Sequence, residues 1–247
     1  NRLVGAQTLI TAGLSFEAAT RLAGENLHRR TRFVFSQMAD ESGSRILFAT
    51  SSWQDGYDSA RFIFAEELLK LPIAGEHVVF LINENYMFIT GSRSEAGLLY
   101  GLSELSNAGL EGKSLPPFPI LMKKEGYLNF ELPEMHSLKE MFKEQENDYY
   151  LSHYRQQGAL LEDYARKNNL TLAAFELAKD RRWTGKKSVT LVEPNKGMVL
   201  VPCADYVRVR GRGGNITVYT WDDFVDEYAE KLEETEHYPF RCLLRSF

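Results

Sequence analysis

The spacing of hydrophobic positions changes repeatedly along the chain, and each change marks an element. In FEAATRLAGENLHRR (16–30), Ala19, Leu22, Ala23 and Leu27 recur at helical spacing, and Ser15 before them carries an N-cap hydroxyl. The pattern predicts a helix lying on a core, with HRRTR (28–32) as its cationic C-terminal end. RILFAT (45–50) reads as a strand. After DGYD (55–58), Phe64, Leu68 and Leu71 return to helical spacing until Pro72 and Gly75 end the run, which predicts a β-α unit. EHVVFLIN and YMFIT, separated at Glu84-Asn85, read as a hairpin.

Ser92 and Glu95 have the spacing of a capping box for a helix that carries Leu98, Leu99, Leu102 and Leu105 and ends near Gly109. Gly97 and Gly101, one turn apart, suit close packing of that helix on a sheet. GLEGKSLPPFP (109–119) has the glycine and proline density of a connection, so a boundary is expected there, giving subdomains 1–115 and 116–247.

Beyond it, PILMKK and YLNFEL form a short hairpin pattern, and a charged helical stretch follows over 134–168. Its apolar members (Leu138, Met141, Phe142, Tyr149, Tyr150, Tyr154, Leu160, Leu161, Tyr164) are irregularly spaced, which predicts two helices. LTLAAFEL, SVTLVE, MVLVP, YVRVRG and NITVYT read as strands, and a Thr220-capped helix from Trp221 to about Glu234 precedes RCLLRSF. No segment repeats. The fold class expected is α+β, with mixed or antiparallel sheets and packed helices in two subdomains.

Composition narrows the functional classes. The 34 acidic and 29 basic residues, net charge −5, are mixed along the chain, so any polyanion site must be local. Cys203 and Cys242 are too few for a disulfide scaffold and do not form CxxC, which points to a reducing, cytoplasmic setting. No apolar run reaches the ~20 residues of a membrane span, and NRLVGAQTLITAG lacks the arrangement of a signal peptide, so no membrane association is expected. Histidines 28, 77, 136, 153 and 237 form neither HExxH nor a Cys/His spacing, and GxSxG, Walker A and GxGxxG are absent. Neither a metal nor a cofactor is expected.

Three stretches carry candidate chemistry. Asp55 and Asp58 are the candidate acid-base pair. Local structure accounts for both: Asp58 precedes a predicted helix as a cap, and Gly56 supplies the bend. In YVRVRGRGG (206–214) a strand would place Tyr206, Arg208 and Arg210 on one face and Val207 and Val209 on the other, with Arg212 following in the turn. Such arginines could grip a phosphate, or form a solvated face. KDRRWTGKK (179–187) sets Trp183 among five basic residues, and folded beside the arginine strand it would complete a local polyanion patch.

The succession AGENLHRRT, strand, DGYDSARFIFAEEL, then GEHVVFLINENYMFITGSRSEAGLL resembles an uncharacterised bacterial family typified by YtpQ, over about residues 15–105. NEN stands where that family has a more basic asparagine-containing turn. The resemblance implies an α+β bacterial cytosolic protein and carries no catalytic motif to transfer. The favoured functional expectation is a non-catalytic protein-binding or regulatory module. The alternative is an enzyme acting on a phosphate-bearing or nucleic-acid substrate, with the arginines as clamp and Asp55 or Asp58 as acid-base.

Overall fold

The computed structural model describes residues 6–43, 45–110, 115–116, 118–181, 183–193, 197–211 and 213–245. The chain divides into two compact units, Asn1–Glu131 and Leu132–Phe247. Among the described residues, six α-helices and fourteen strands form three mostly antiparallel sheets, the expected α+β class.

In the first unit β1 (Ser36–Ala39), β2 (Ile46–Thr50), β3 (His77–Asn83), β4 (Tyr86–Gly91), β5 (Ile120–Lys123) and β6 (Gly126–Asn129) form one sheet in the order β1-β2-β4-β3-β5-β6. β5 pairs antiparallel with β3, Ile120 opposite Val79, and this commits the β5-β6 hairpin to the first unit. The boundary therefore falls later than the 109–119 connection. The central strands are buried on both faces, which is why they read as near-continuous apolar runs. Val79, Met87 and Ile89 lie with Leu68 in one core cluster, while Phe80 and Phe88 meet edge to face on the other side.

That second side lies under α4 (Glu95–Leu110), which buries Leu98, Leu102 and Leu105 and leaves Leu99 exposed. Ser94, not Ser92, opens it: the Gly97 N–H donates to Ser94 Oγ, whereas Ser92 Oγ accepts from the Glu76 N–H. The two glycines face the sheet as expected. A Cβ at Gly97 would stand 1.9 Å from Thr90 Oγ1, and one at Gly101 would stand 2.7 Å from the Phe80 ring.

Two helix expectations for this unit need correction. In α2 (Phe16–Arg30), Ser15 caps as expected, accepting from the Ala18 N–H at 3.1 Å, but no residue of the helix is buried. Both faces of the sheet centre are already covered by α4 and by residues 59–73. Helix α2, preceded by α1 (Ala6–Thr11), meets the outer side of that second cover, with His28 edge-on to Phe64 at 5.0 Å. Residues 59–71 form no single helix. A 3₁₀ turn (Ser59–Ile63) gives way at non-helical Phe64 to the short α3 (Ala65–Leu68). Ser59 and Arg61 are buried, and Ser59 Oγ donates to the Asn83 carbonyl at 2.5 Å, so side-chain bonds override the helical spacing.

The second unit holds two four-stranded sheets. One has the order β13-β14-β10-β7: β7 (Leu170–Leu172), β10 (Met198–Pro202), β13 (Leu232–Glu234) and β14 (Arg241–Leu244). The other has the order β12-β11-β9-β8: β8 (Phe175–Ala178), β9 (Lys187–Val192), β11 (Tyr206–Arg210) and β12 (Ile216–Thr220). β7 with β10 and β9 with β11 are the parallel pairs. Val199 and Val201 from one sheet share a core cluster with Val192, Val207 and Val209 from the other and with Phe224 of α6 (Trp221–Glu227).

Three expectations change here. LTLAAFEL is not one strand, because Ala173-Ala174 passes the chain from one sheet to the other. Helix α6 stops at Glu227, and Leu232, packed against the core cluster, enters β13 to pair with Leu244. The charged stretch is a single 29-residue helix, α5 (Lys139–Lys167), not two. Its buried residues include Asn147, Tyr154 and Gln157, so much of its inner face is polar and shows no apolar period. No described helix is long and apolar enough to cross a membrane.

Candidate functional site

The DGYD stretch is an internal brace in the first unit. Gly56 takes φ +81°, and its N–H donates to the Asn85 side chain at 2.8 Å. The Arg61 guanidinium is 1 % exposed, donates to both Asp55 oxygens at 2.8 Å and to Thr31 Oγ1, and lies 4.5 Å from the Trp53 ring centre. The hydrogen bonds from Arg61, with its charge, hold the Asp55 carboxyl below the usual carboxylate range. Asp55 also borders a groove of about 370 Å³ beneath α2, lined by Ala23, Leu27, Tyr57 and Ile63, but both its oxygens are engaged by the arginine.

Asp58 does not cap. Its own backbone is helical (φ −55°, ψ −53°), whereas a capping residue is extended, so its carboxylate misses the first-turn N–H groups. Oδ1 instead accepts from the Asp55 N–H and lies 3.9 Å from Arg61, while Oδ2 is buried without a hydrogen-bond partner among the described residues. Asp58 is thus fully buried, whereas Asp55 stays at the edge of the groove with its oxygens bonded to Arg61.

In the second unit β11 alternates as expected: Val207 and Val209 are buried, and Tyr206, Arg208 and Arg210 share the outer face. Trp183 folds onto this face, its ring parallel to Tyr206 at 4.4 Å, and the Arg208 guanidinium stands 5.8 Å from the indole centre. The two basic stretches therefore converge. Arg210 is paired with Glu193 at 2.8 Å, and Arg212 lies outside the described residues. Across the strands, Arg208 sits opposite Val218 and Leu191, and Arg210 opposite Ile216, all three aliphatic side chains being exposed.

A concavity in the second unit was invisible to motif reading. It is a cavity of about 470 Å³ between the N-terminal half of α5, the starts of β9 and α6, and the Cys203–Asp205 and Tyr238–Phe240 segments. At its floor Asp205 Oδ2 accepts from the Ser188 N–H and Oγ–H, each at 2.8 Å, and from the buried Asn147 amide at 3.3 Å. Lys143 Nζ lies 3.3 Å from Asp205 and 3.1 Å from Glu146. Burial opposes the Lys143 charge, but the two carboxylates hold the ammonium above its ordinary range. Burial likewise opposes the Asp205 charge, and Lys143 with Ser188 outweighs it, so that carboxyl titrates low. Burial pushes the Cys203 thiol up to about 11 and the Tyr150 phenol up to about 12, and raises Tyr154 as well.

No family model matches the chain, and no curated protein or solved structure matches it. The local geometry carries the functional argument. One sequence signal for the cavity exists in retrospect: Lys143, Glu146, Asn147, Tyr150 and Tyr154 recur at three- and four-residue steps, a polar and aromatic stripe on one helix face.

Proposed function

We propose that the chain is a non-catalytic binding module that holds another protein on the outer face of the β12-β11-β9-β8 sheet. The observation that carries this reading is the composition of that face. A stacked Trp183–Tyr206 pair and Arg208 sit among exposed Leu191, Val218 and Ile216. Rigid aromatics and arginine surrounded by aliphatic side chains make a protein-docking surface, since they supply desolvated anchors with little entropy to lose. A backbone-gripping polyanion site would instead present several unpaired cations, and here Arg210 is engaged by Glu193. The cavity supports binding over catalysis: Lys143 is held cationic, Asp205 anionic, and Cys203, Tyr150 and Tyr154 neutral, so none of these five is poised near neutral pH. The arginine at the centre of the face selects a partner segment carrying a carboxylate flanked by apolar side chains.

The test is affinity capture with nuclease present, comparing the wild-type chain with Trp183→Ala and Val218→Asp, each checked for a native melting curve. A protein retained by wild type and lost from both variants supports the reading. Equal retention by all three, or capture that disappears with nuclease, overturns it.

A further inference from the structure

We infer that the second-unit cavity binds an organic ammonium or guanidinium group at its mouth, a site separate from the proposed protein-docking face. The exposure of its lining residues distinguishes floor from mouth. Tyr154, Asn147 and Ser188 are almost fully buried, whereas Tyr238 is 64 % exposed and Asp222 is also exposed. The floor is internally satisfied: Asp205 accepts from Ser188, Asn147 and Lys143, and Tyr154 Oη donates to the Phe240 carbonyl while accepting from the Cys203 N–H. The mouth has the unspent charge.

Of the charged side chains lining the cavity, Glu146, Asp205 and Asp222 are acidic and Lys143 alone is basic. Lys143 is shared between Glu146 and Asp205, so one ammonium serves two carboxylates, and Asp222 adds a third at the first turn of α6. Arg241 is the nearby counterweight, but its guanidinium lies against the buried Tyr154 ring at 5.1 Å, near the floor. With Lys143 balancing one of the three carboxylates the lining stays net negative, and the exposed Asp222 carries that charge at the mouth, in a lining that includes the rings of Trp221 and Tyr238.

A mouth that sets a carboxylate with the exposed Tyr238 ring and the half-buried Trp221 ring attracts cations whose charge is spread over an alkyl or planar head, because ring faces and carboxylates act together on a weakly hydrated cation. A metal ion fits less well, since among the described residues no three His, Cys, Asp or Glu side chains are grouped to hold one. The space, about 470 Å³, is far larger than one ammonium head requires, so the head arrives on a chain: a free polyamine, or a lysine or arginine side chain of a peptide.

The experiment is calorimetric titration of the full chain with putrescine, with agmatine and with an acetylated, amidated Gly-Arg-Gly peptide. Butanol and glutarate are the uncharged and anionic controls. Saturable, salt-sensitive binding of at least one cation and none of either control is the expected result. Free amines binding more tightly than the peptide assigns a metabolite site, and the reverse order assigns a peptide side chain. Asp222→Asn and Tyr238→Leu alter exposed side chains at the mouth. Each is expected to weaken binding by about three- to fivefold, as loss of one exposed charge or ring contact does. No cation binding at millimolar concentration, equal binding of glutarate, or full affinity in both variants overturns the inference. Protein capture through the Trp183 face is unaffected by Asp222→Asn, so failure here is distinguishable from failure of the docking proposal.

Discussion

Helix α4 reaches its sheet through glycines, whereas α5 reaches its strands through side chains that hydrogen-bond. On α4, Gly97 and Gly101 bring the backbone down onto Thr90 and Phe80, and leucines at positions 98, 102 and 105 seal the contact. On α5, Gln157 donates to the Pro239 carbonyl at 2.7 Å and accepts from Arg241 Nε, Asn147 donates to Asp205, and Tyr154 donates to Phe240. The first interface depends on shape and the second on matched polar partners. A shape-dependent interface fails when volume is added; a polar one fails when a partner is removed, because the remaining group stays buried and unpaired.

The largest effect is expected at Gly97. An added Cβ would stand 1.9 Å from Thr90 Oγ1 and 2.7 Å from the Leu47 carbonyl oxygen, and the second obstacle is backbone. Gly97→Ala should cost about 3 kcal/mol despite alanine's better helix propensity, and Thr90→Ala should restore only part of it. Urea unfolding of the two single variants and the double variant measures this. Stability within about 0.5 kcal/mol of wild type for Gly97→Ala would show that α4 does not depend on close approach.

Next is Gln157→Leu, a volume-conserving change that breaks the bonds to the Pro239 carbonyl and to Arg241 at once and leaves both partners in place. Arg241 is 2 % exposed, and its described acceptors are Gln157 Oε1 and the Ala173 and Leu200 carbonyls, all neutral. Losing one acceptor from a buried cation should cost about 2 kcal/mol. Amide exchange would speed first in β10 and at the end of β7, since the guanidinium binds the Leu200 carbonyl and that of Ala173 just beyond β7. A purely apolar α5 interface would instead be stabilised by the leucine.

This contrast explains what could be read in advance. Leucine spacing and small residues at Gly97 and Gly101 are local signals, so α4 and its packing were legible. The polar inner face of α5 was not, because Asn147, Gln157 and Arg241 make sense only beside partners far along the chain. The same logic hid the cavity, whose floor joins Lys143, Ser188 and Asp205, and misassigned Asp58 as a cap when its environment is set by Arg61 and the Asn83–Tyr86 turn. Alternation in β11 was legible because it is a period of two within five residues; the arrival of Trp183 on Tyr206 was left open.

A smaller effect is expected at Gly101. The nearest atoms to an added Cβ are Phe80 ring carbons at 2.7 to 2.9 Å, and a ring can tilt where a backbone carbonyl cannot. Gly101→Ala should lower stability by about 1 kcal/mol, with helix propensity offsetting part of the overpacking. Gly101→Ala as damaging as Gly97→Ala would mean that Phe80 is as fixed as the backbone.

The smallest effect sharpens the comparison between the two buried arginines. Arg61 has a carboxylate partner that is 40 % exposed, and Arg241 has the neutral acceptors named above, so acid can disarm the first set and not the second. The folded Asp55 titrates below its unfolded value near 3.8, so its stabilisation is fully present above that pH and is lost as pH falls through the lower folded value. Asp55→Asn should therefore cost about 1 kcal/mol at neutral pH, discounted for the exposure of the carboxylate, and the gap to wild type should close below about pH 4. Emission from Trp53, whose ring lies beside the Arg61 guanidinium, follows the first unit through urea titrations at each pH. A gap that persists at pH 2 would mean that the Asp55 side chain acts through packing; one that closes would assign its contribution to charge.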